Sequence, residues 1–232
     1  MMMLGAGGAA AAAIESRYGS GMAGLRADRN NYRGDRRATG RARSFLRNRE
    51  IYCEGDDADC VFKVDSGVVR TYKVLRDGRR QIHAFHRSGS VFGLEIGNEY
   101  GLSAAAASDC AVISYDRRNL EALAARNGQL LLQLFSSVLL SVARAQEHSV
   151  SLGRRHAVEK LAVFLIECGE HSTDGDDILL EMSRKDIADY LGLTIETVSR
   201  TFADLELRGF IQISGARHIR LIDISVLREL CA

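Results

Sequence analysis

Between Ile51 and Tyr115 the apolar residues come in short runs: VFKV at 61–64, VVRTYKV at 68–74 and IHAF at 82–85. Polar residues and glycine separate them. Gly55, Gly67, Gly78 and Gly89 fall 12, 11 and 11 residues apart, and three of them follow a turn former, Ser66, Asp77 or Ser88. Regular turn spacing between β-rich runs predicts a sandwich or barrel of short hairpins.

After Asp116 the period changes from strand to helix. Asn127-Gly128 breaks a short helix from a long one. Beyond it Leu131, Phe135, Val138, Val142 and Ala145 recur at steps of 4, 3, 4 and 3, an a/d seam, and Leu132 and Leu139 broaden it. A seam of this kind must be covered, either by the β domain or by a second copy. The second is the expectation here, as a parallel homodimer. Gly153 then marks a hinge.

From Arg154 to Gly169, Val158, Leu161, Leu165 and Cys168 repeat at helical spacing, with Phe164 beside them. HSTDGDD, residues 171–177, reads as a loop. Ile178, Leu180 and Met182 alternate as a short strand. Ser183 with Asp186 then forms a variant of the capping box. Ile187, Tyr190 and Leu191 give one helix an apolar side, and Ala188 is small where two helices cross. Gly192 serves a tight turn, and Thr194 is an N-cap for a second helix with Val198, Phe202 and Leu205 inside. Together these are a helix-turn-helix. Gly209 ends the second helix. Ile211 with Ile213, and Ile219 with Leu221, flank Ser214-Gly215 as a two-stranded wing.

The outer face of the second helix carries chemistry. Glu196, Ser199 and Arg200 stand at i, i+3 and i+4, and Ile195 lies beside them at the helix start. Arg suits guanine O6 and N7, and Glu accepts from cytosine N4. A carboxylate facing phosphates is costly unless it reads a base, so Glu196 points to specific readout. The alternative is a surface Glu–Arg pair worth a few tenths of a kcal/mol.

Composition alters this picture little. Of 232 residues, 46% are hydrophobic and 26% charged, enough apolar side chain for one large core or two small ones. The net charge is +1, so overall charge gives no case for a nucleic-acid or membrane partner. Its distribution is uneven: residues 1–49 hold ten Arg against three acids, whereas residues 154–232 hold ten basic residues against 14 acidic ones. Any DNA-binding potential in the C-terminal part must therefore be local. The Arg/Ala/Gly-rich head, residues 1–44, reads as a frayed tail, with an arm that touches DNA or a partner as the alternative. The uncharged stretch 127–143 contains Asn, two Gln and three Ser, so no membrane span is expected, and the first residues lack the basic start of a signal peptide.

Cys53, Cys60, Cys110, Cys168 and Cys231 form no CxxC pair and read as reduced cytoplasmic thiols. An iron–sulfur cluster needs about four thiolates in reach. His83 and His86, at i and i+3 on a strand, point to opposite faces and cannot share one metal without a bend.

Two blocks carry a resemblance to a known family. Residues 187–200, IADYLGLTIETVSR, are similar to the DNA-binding signature of the Crp/Fnr superfamily of bacterial transcription regulators. Glu54-Gly55-Asp56, Ser66-Gly67 and Gly89-Ser90-Val91-Phe92-Gly93 resemble the β-roll of cyclic-nucleotide-binding domains. The resemblance spans roughly residues 45–230 and follows the family's order. Its E-x-x-S-R face is that of the Fnr branch. The missing N-terminal cysteine cluster points to the FixK group, regulators of low-oxygen respiration and nitrogen-fixation genes.

The resemblance implies an α+β chain with a β-roll at 45–127, a dimerisation helix at 128–152 and a winged helix-turn-helix at 153–232. It implies that Glu196, Ser199 and Arg200 read TTGA-type half-sites of the palindrome TTGAT-N4-ATCAA, with Ile195 on a thymine methyl. It implies a homodimer on double-stranded DNA that recruits RNA polymerase. Ser183, Arg184, Lys185, Thr194, Thr197, Arg217 and His218 are the expected phosphate contacts, from charge and position. Ligand-binding members hold the cyclic phosphate with a Gly-Glu-Leu segment and an Arg. Here Phe92-Gly93-Leu94-Glu95 and Leu102 stand in those places, so neither a cyclic nucleotide nor another cofactor is expected. An effector-gated regulator of the same fold is the alternative, and a cupin-like metalloenzyme is a remote one.

Overall fold

The computed structural model describes residues 40–170, 172 and 176–231. The expected frayed head, up to residue 39, and residues 171 and 173–175 of the expected loop lie outside the described residues. The chain divides into two compact units, with the boundary between Ala143 and Arg144.

The first unit holds eight antiparallel strands in two sheets. One sheet has the order β1 (Arg41–Phe45), β8 (Cys110–Asp116), β3 (Cys60–Ser66), β6 (Val91–Phe92). The other runs β2 (Glu50–Tyr52), β7 (Ser103–Ala106), β4 (Val69–Val74), β5 (Arg80–His86). The runs read from the sequence lie in β3, β4 and β5. Their inward residues meet an aromatic stack: Tyr52 lies on Tyr100 with ring centroids 3.7 Å apart, and Phe62 on Phe92 at 5.2 Å. Val64, Val69, Ala104, Ala106 and Val112 close the core around them. The Tyr100 hydroxyl donates to the Cys60 carbonyl at 2.7 Å, which satisfies its buried end. Gly67 is obligatory at its turn. Its φ is +74°, and a Cβ there would lie 2.2 Å from the Asp109 carbonyl oxygen.

β1 falls within the expected frayed head. Arg41 to Ser44 are exposed and only Phe45 is half-buried, so this edge strand shows no alternation. It is held by backbone pairing to β8, by the Ser114 hydroxyl, which donates to the Arg41 carbonyl at 3.2 Å, and by Phe45, which packs against the core.

Helix α1 (Arg117–Ala124) starts at Asp116, whose carboxylate accepts from the Asn119 N–H. Helix α2 (Gly128–Leu152) starts where the Asn127 side chain accepts from the N–H groups of Gln129 and Leu130. The inner face of α2 is seated on the β unit: Leu130 is buried with Val61, Val91, Ile113, Tyr115, Leu120 and Ala124. The seam stays outside. Leu131, Phe135, Val138 and Val142 are 54, 52, 41 and 48% exposed, and Ala145 is half-buried. The β domain of the same chain therefore leaves the seam uncovered.

By length and composition α2 is also long and apolar enough to cross a membrane. That differs from the expectation, because the Asn, Gln and Ser residues that interrupt the stretch are uncharged and outnumbered by apolar ones. The seating of Leu130 in a β-sheet core and the charges at Arg144 and Glu147 fit a helix of a domain better than a span.

The second unit runs α3 (Ala157–Glu170), β9 (Asp177–Leu179), α4 (Arg184–Leu191), α5 (Ile195–Leu207), β10 (Ile211–Ser214), β11 (His218–Leu221) and α6 (Ile224–Glu229). Leu161, Leu165, Ile187, Leu191, Phe202, Leu205, Ile211 and Ile219 make its core. The wing has three strands, not two, in the order β10-β11-β9. Asp177 and Arg220 tie β9 to β11 by a bidentate ion pair at 2.8 and 2.9 Å. Helix α3 starts at Ala157, later than expected. Arg154 is used instead to donate to the Cys231 carbonyl at 2.8 Å. Helix α6 carries too few apolar positions to show a period.

Candidate nucleic-acid interface

The turn between α4 and α5 is built as its residues dictate. Ser183 Oγ accepts from the Asp186 N–H and donates to Asp186 Oδ2, which also accepts from the Ser183 N–H, so the capping box is complete. Gly192 takes φ +64° and ends α4, its N–H donating to Ala188. Buried Lys160 donates to the Leu191 carbonyl at 3.3 Å, a cation at the negative end of α4. Thr194 Oγ1 accepts from the Thr197 N–H and opens α5.

One face of α5 is buried through Val198, Phe202 and Leu205. The opposite face brings together the expected base readers: Ile195, Glu196, Ser199 and Arg200 are all exposed. Hydrogen bonds from its own backbone N–H and the Thr194 hydroxyl, with Arg200 and Lys185 nearby, hold the Glu196 carboxyl below the usual carboxylate range. It is a carboxylate at any physiological pH. The Ser199 hydroxyl donates to the Ile195 carbonyl at 2.8 Å, so it presents a lone pair outward and not its proton. One exposed helix face thus carries a neutral acceptor, a carboxylate and a guanidinium, groups whose chemistry can pair with base edges.

The expected phosphate contacts divide. Lys185 is exposed, and its ammonium also pairs with Asp189 at 2.6 Å. Thr194, Arg217 and His218 are exposed, the last two at the wing tip, whereas Ser183 and Thr197 are half-buried at their caps. Arg184 is placed differently from the expectation. Its guanidinium carbon stands 3.3 Å from the centroid of the Phe202 ring, facing inward. Loss of water lowers its pKa to about 10, so it remains a cation. Its stacking was not legible, because neither residue signals the other across 18 positions.

The β unit offers a cavity of about 300 Å³, lined by Val61, Leu94, Leu120, Ala124, Leu131 and Leu134 among others. Arg117 at its edge donates to the Gly97 and Glu95 carbonyls and to Glu121, so its charge is already engaged. Among the described residues no group of three or more His, Cys, Asp or Glu is arranged to hold a metal. His86 Nε2 lies 3.0 Å from Thr71 Oγ1, and His83 is exposed.

The family described as Crp-like helix-turn-helix domain matches residues 159–230, and the cyclic nucleotide-binding domain family matches residues 42–127. The nitrogen fixation regulation protein FixK of Rhizobium meliloti (strain 1021) is 42% identical over 188 residues, 81% of this chain and 86% of that protein. The transcriptional activatory protein AadR of Rhodopseudomonas palustris is 38% identical and covers 67% of each chain. The solved structure of FixK2 from Bradyrhizobium japonicum superposes with a TM-score of 0.80 at 41% identity, covering 84% of this chain and 98% of that one.

Proposed function

Starting from the finding that the chain belongs to the Crp/Fnr family of transcription regulators, and is not an enzyme, we propose that it acts as a homodimeric activator. It reads TTGA-type half-sites of a palindrome, needs no small-molecule effector and works in the cytoplasm. The genes it controls belong to low-oxygen respiration and nitrogen fixation, and it recruits RNA polymerase to them. The names of its relatives, a nitrogen fixation regulation protein and a transcriptional activatory protein, support the nitrogen-fixation and activator parts of that assignment.

The single observation that carries this reading is the exposed face Ile195, Glu196, Ser199 and Arg200 on a helix whose other face is buried. Arg200 takes guanine O6 and N7, Glu196 accepts from cytosine N4, and Ile195 meets a thymine methyl. Ser183, Lys185, Thr194, Thr197, Arg217 and His218 are proposed as contacts to the flanking phosphates. They fix position and carry no sequence information. The pairing surface is the seam of exposed Leu131, Phe135, Val138 and Val142 with half-buried Ala145. A second copy covers it without asking the β unit to move.

Independence from cyclic nucleotides is supported by two features. Leu102 leaves a cyclic phosphate without its guanidinium, and the aromatic stack of Tyr52, Phe62, Phe92 and Tyr100 fills the space between the sheets. The cavity beside α1 keeps an effector-gated version as a second reading, with a small, mainly apolar ligand.

Fluorescence anisotropy in air, without ligand, tests the proposal. A duplex bearing TTGAT-N4-ATCAA is titrated against a scrambled one at several salt concentrations. Two chains per duplex and selective binding are expected. Equal affinity for the two duplexes would sink the proposed readout.

A further inference from the structure

Arg184 is in an unfavourable place for a cation. It is the first residue of α4, at the positive end of the helix dipole. Its guanidinium is partly stripped of water, and Nη1 is buried without a hydrogen-bond partner. Among the described residues no carboxylate pairs with it. A neutral apolar side chain would fill the same space without these penalties.

The compensation visible in the structure is the ring of Phe202. The guanidinium carbon stands 3.3 Å from the ring centroid, so the cation rests on the negative π face. Phe202 is 2% exposed and belongs to α5, one turn from Ser199 and less than two turns from Glu196. A contact this short joins the first turn of α4 to the buried face of α5, so a roll or slide of α5 against α4 would break it. Lys would supply the charge without the plane. Leu would supply the bulk without the quadrupole.

We infer that Arg184 is a positioning residue of the recognition helix: through its stack on Phe202 it sets where Glu196, Ser199 and Arg200 stand, and so tunes base selectivity. This rests on the proposed reading of DNA by α5. It replaces the expectation that Arg184 serves simply as a free phosphate contact.

The test uses the full chain and the two duplexes above. Arg184→Lys, Arg184→Ala, Phe202→Leu and the Arg184→Ala/Phe202→Leu double variant are compared with the parent, with helical content checked by circular dichroism. Arg184→Ala and Phe202→Leu are each expected to lose about tenfold on the matched duplex and little on the scrambled one, with the salt slope unchanged. The double variant loses no more than the worse single one, and Arg184→Lys does not restore selectivity. The inference is overturned if Arg184→Ala weakens both duplexes alike and lowers the salt slope by about 0.9, if Phe202→Leu binds as the parent does, and if Lys rescues. That result makes Arg184 a plain phosphate contact.

Where Arg184→Ala does not fold, Arg184→Lys and Phe202→Leu carry the same comparison. If the parent itself fails to distinguish the duplexes, the reading of DNA falls separately. The pair is then judged on thermal unfolding of the parent, Arg184→Ala, Phe202→Leu and the double variant: non-additive midpoint shifts are expected, and additive ones overturn it.

Discussion

The imidazole of His148 lies flat on the ring of Tyr190, with centroids 3.9 Å apart and planes 13° from parallel. Phe164 tilts against the same Tyr190 ring at 5.8 Å. Three helices, α2, α3 and α4, thus meet at one aromatic contact. The end of the long helix is therefore part of the helix-turn-helix core and not merely a tether to it. Tyr190→Ala is expected to destabilise the unit by about 3 kcal/mol, and a His148/Tyr190 double-mutant cycle to show about 1 kcal/mol of coupling. Chemical denaturation of the full chain followed by circular dichroism measures both. Additive effects would mean that the stack contributes nothing beyond burial.

Arg200→Ala is expected to cost about 1–3 kcal/mol on the matched duplex and to relax selectivity at the guanine. Arg217→Ala, at the wing tip, should weaken matched and scrambled duplexes alike and lower the salt slope by about 0.9. If the two variants behave identically, Arg200 is not a base reader.

Ser183 separates capping from charge. Ser183→Ala removes the acceptor for the Asp186 N–H and should cost about 1 kcal/mol of stability. Ser183→Asp keeps an N-cap acceptor but sets a second carboxylate beside Asp186 and beside the expected phosphates, so it should weaken binding to every duplex. Operator affinity equal to the parent's in Ser183→Asp would place the first turn of α4 away from the DNA backbone.

The Glu196 carboxyl is held below its usual range by hydrogen bonds and by Arg200 and Lys185. A depressed pKa keeps the acceptor ionised as pH falls, and the charge is lost only on passing below the ordinary value. Selectivity attributable to Glu196, taken as the difference between the parent and Glu196→Gln, should therefore be flat from pH 8 down to about pH 5. Anisotropy titrations across that range check this, and a loss of selectivity with a midpoint above pH 5 contradicts it.

Gly67→Ala is expected to unfold or strongly destabilise the β unit, since the new methyl meets the Asp109 carbonyl at 2.2 Å and Cys110 at 2.8 Å while φ stays at +74°. Gly78→Ala, at φ +80° with open space around it, should cost about 1 kcal/mol. Thermal unfolding of the two variants separates steric clash from backbone strain. Equal midpoints would show that the turn at Gly67 relaxes.

The sequence by itself determined the parts whose signals are local. The turn glycines, the capping box of Ser183 and Asp186, the αL turn at Gly192 and the exposed readers on α5 all follow from spacing within one or two turns of chain. Periodicity also placed the seam of α2. Only the tertiary structure decided that the β unit takes the face bearing Leu130 and leaves the seam bearing Leu131 and Phe135 outside. It alone recruited Arg41–Phe45 as an edge strand, drew β9 into the wing and turned Arg184 inward onto Phe202. Each of these is a contact between residues far apart in the chain, or a strand whose buried and exposed residues do not alternate. Neither leaves a period in the sequence, because what selects the partner is the shape and charge of a surface that exists only after folding.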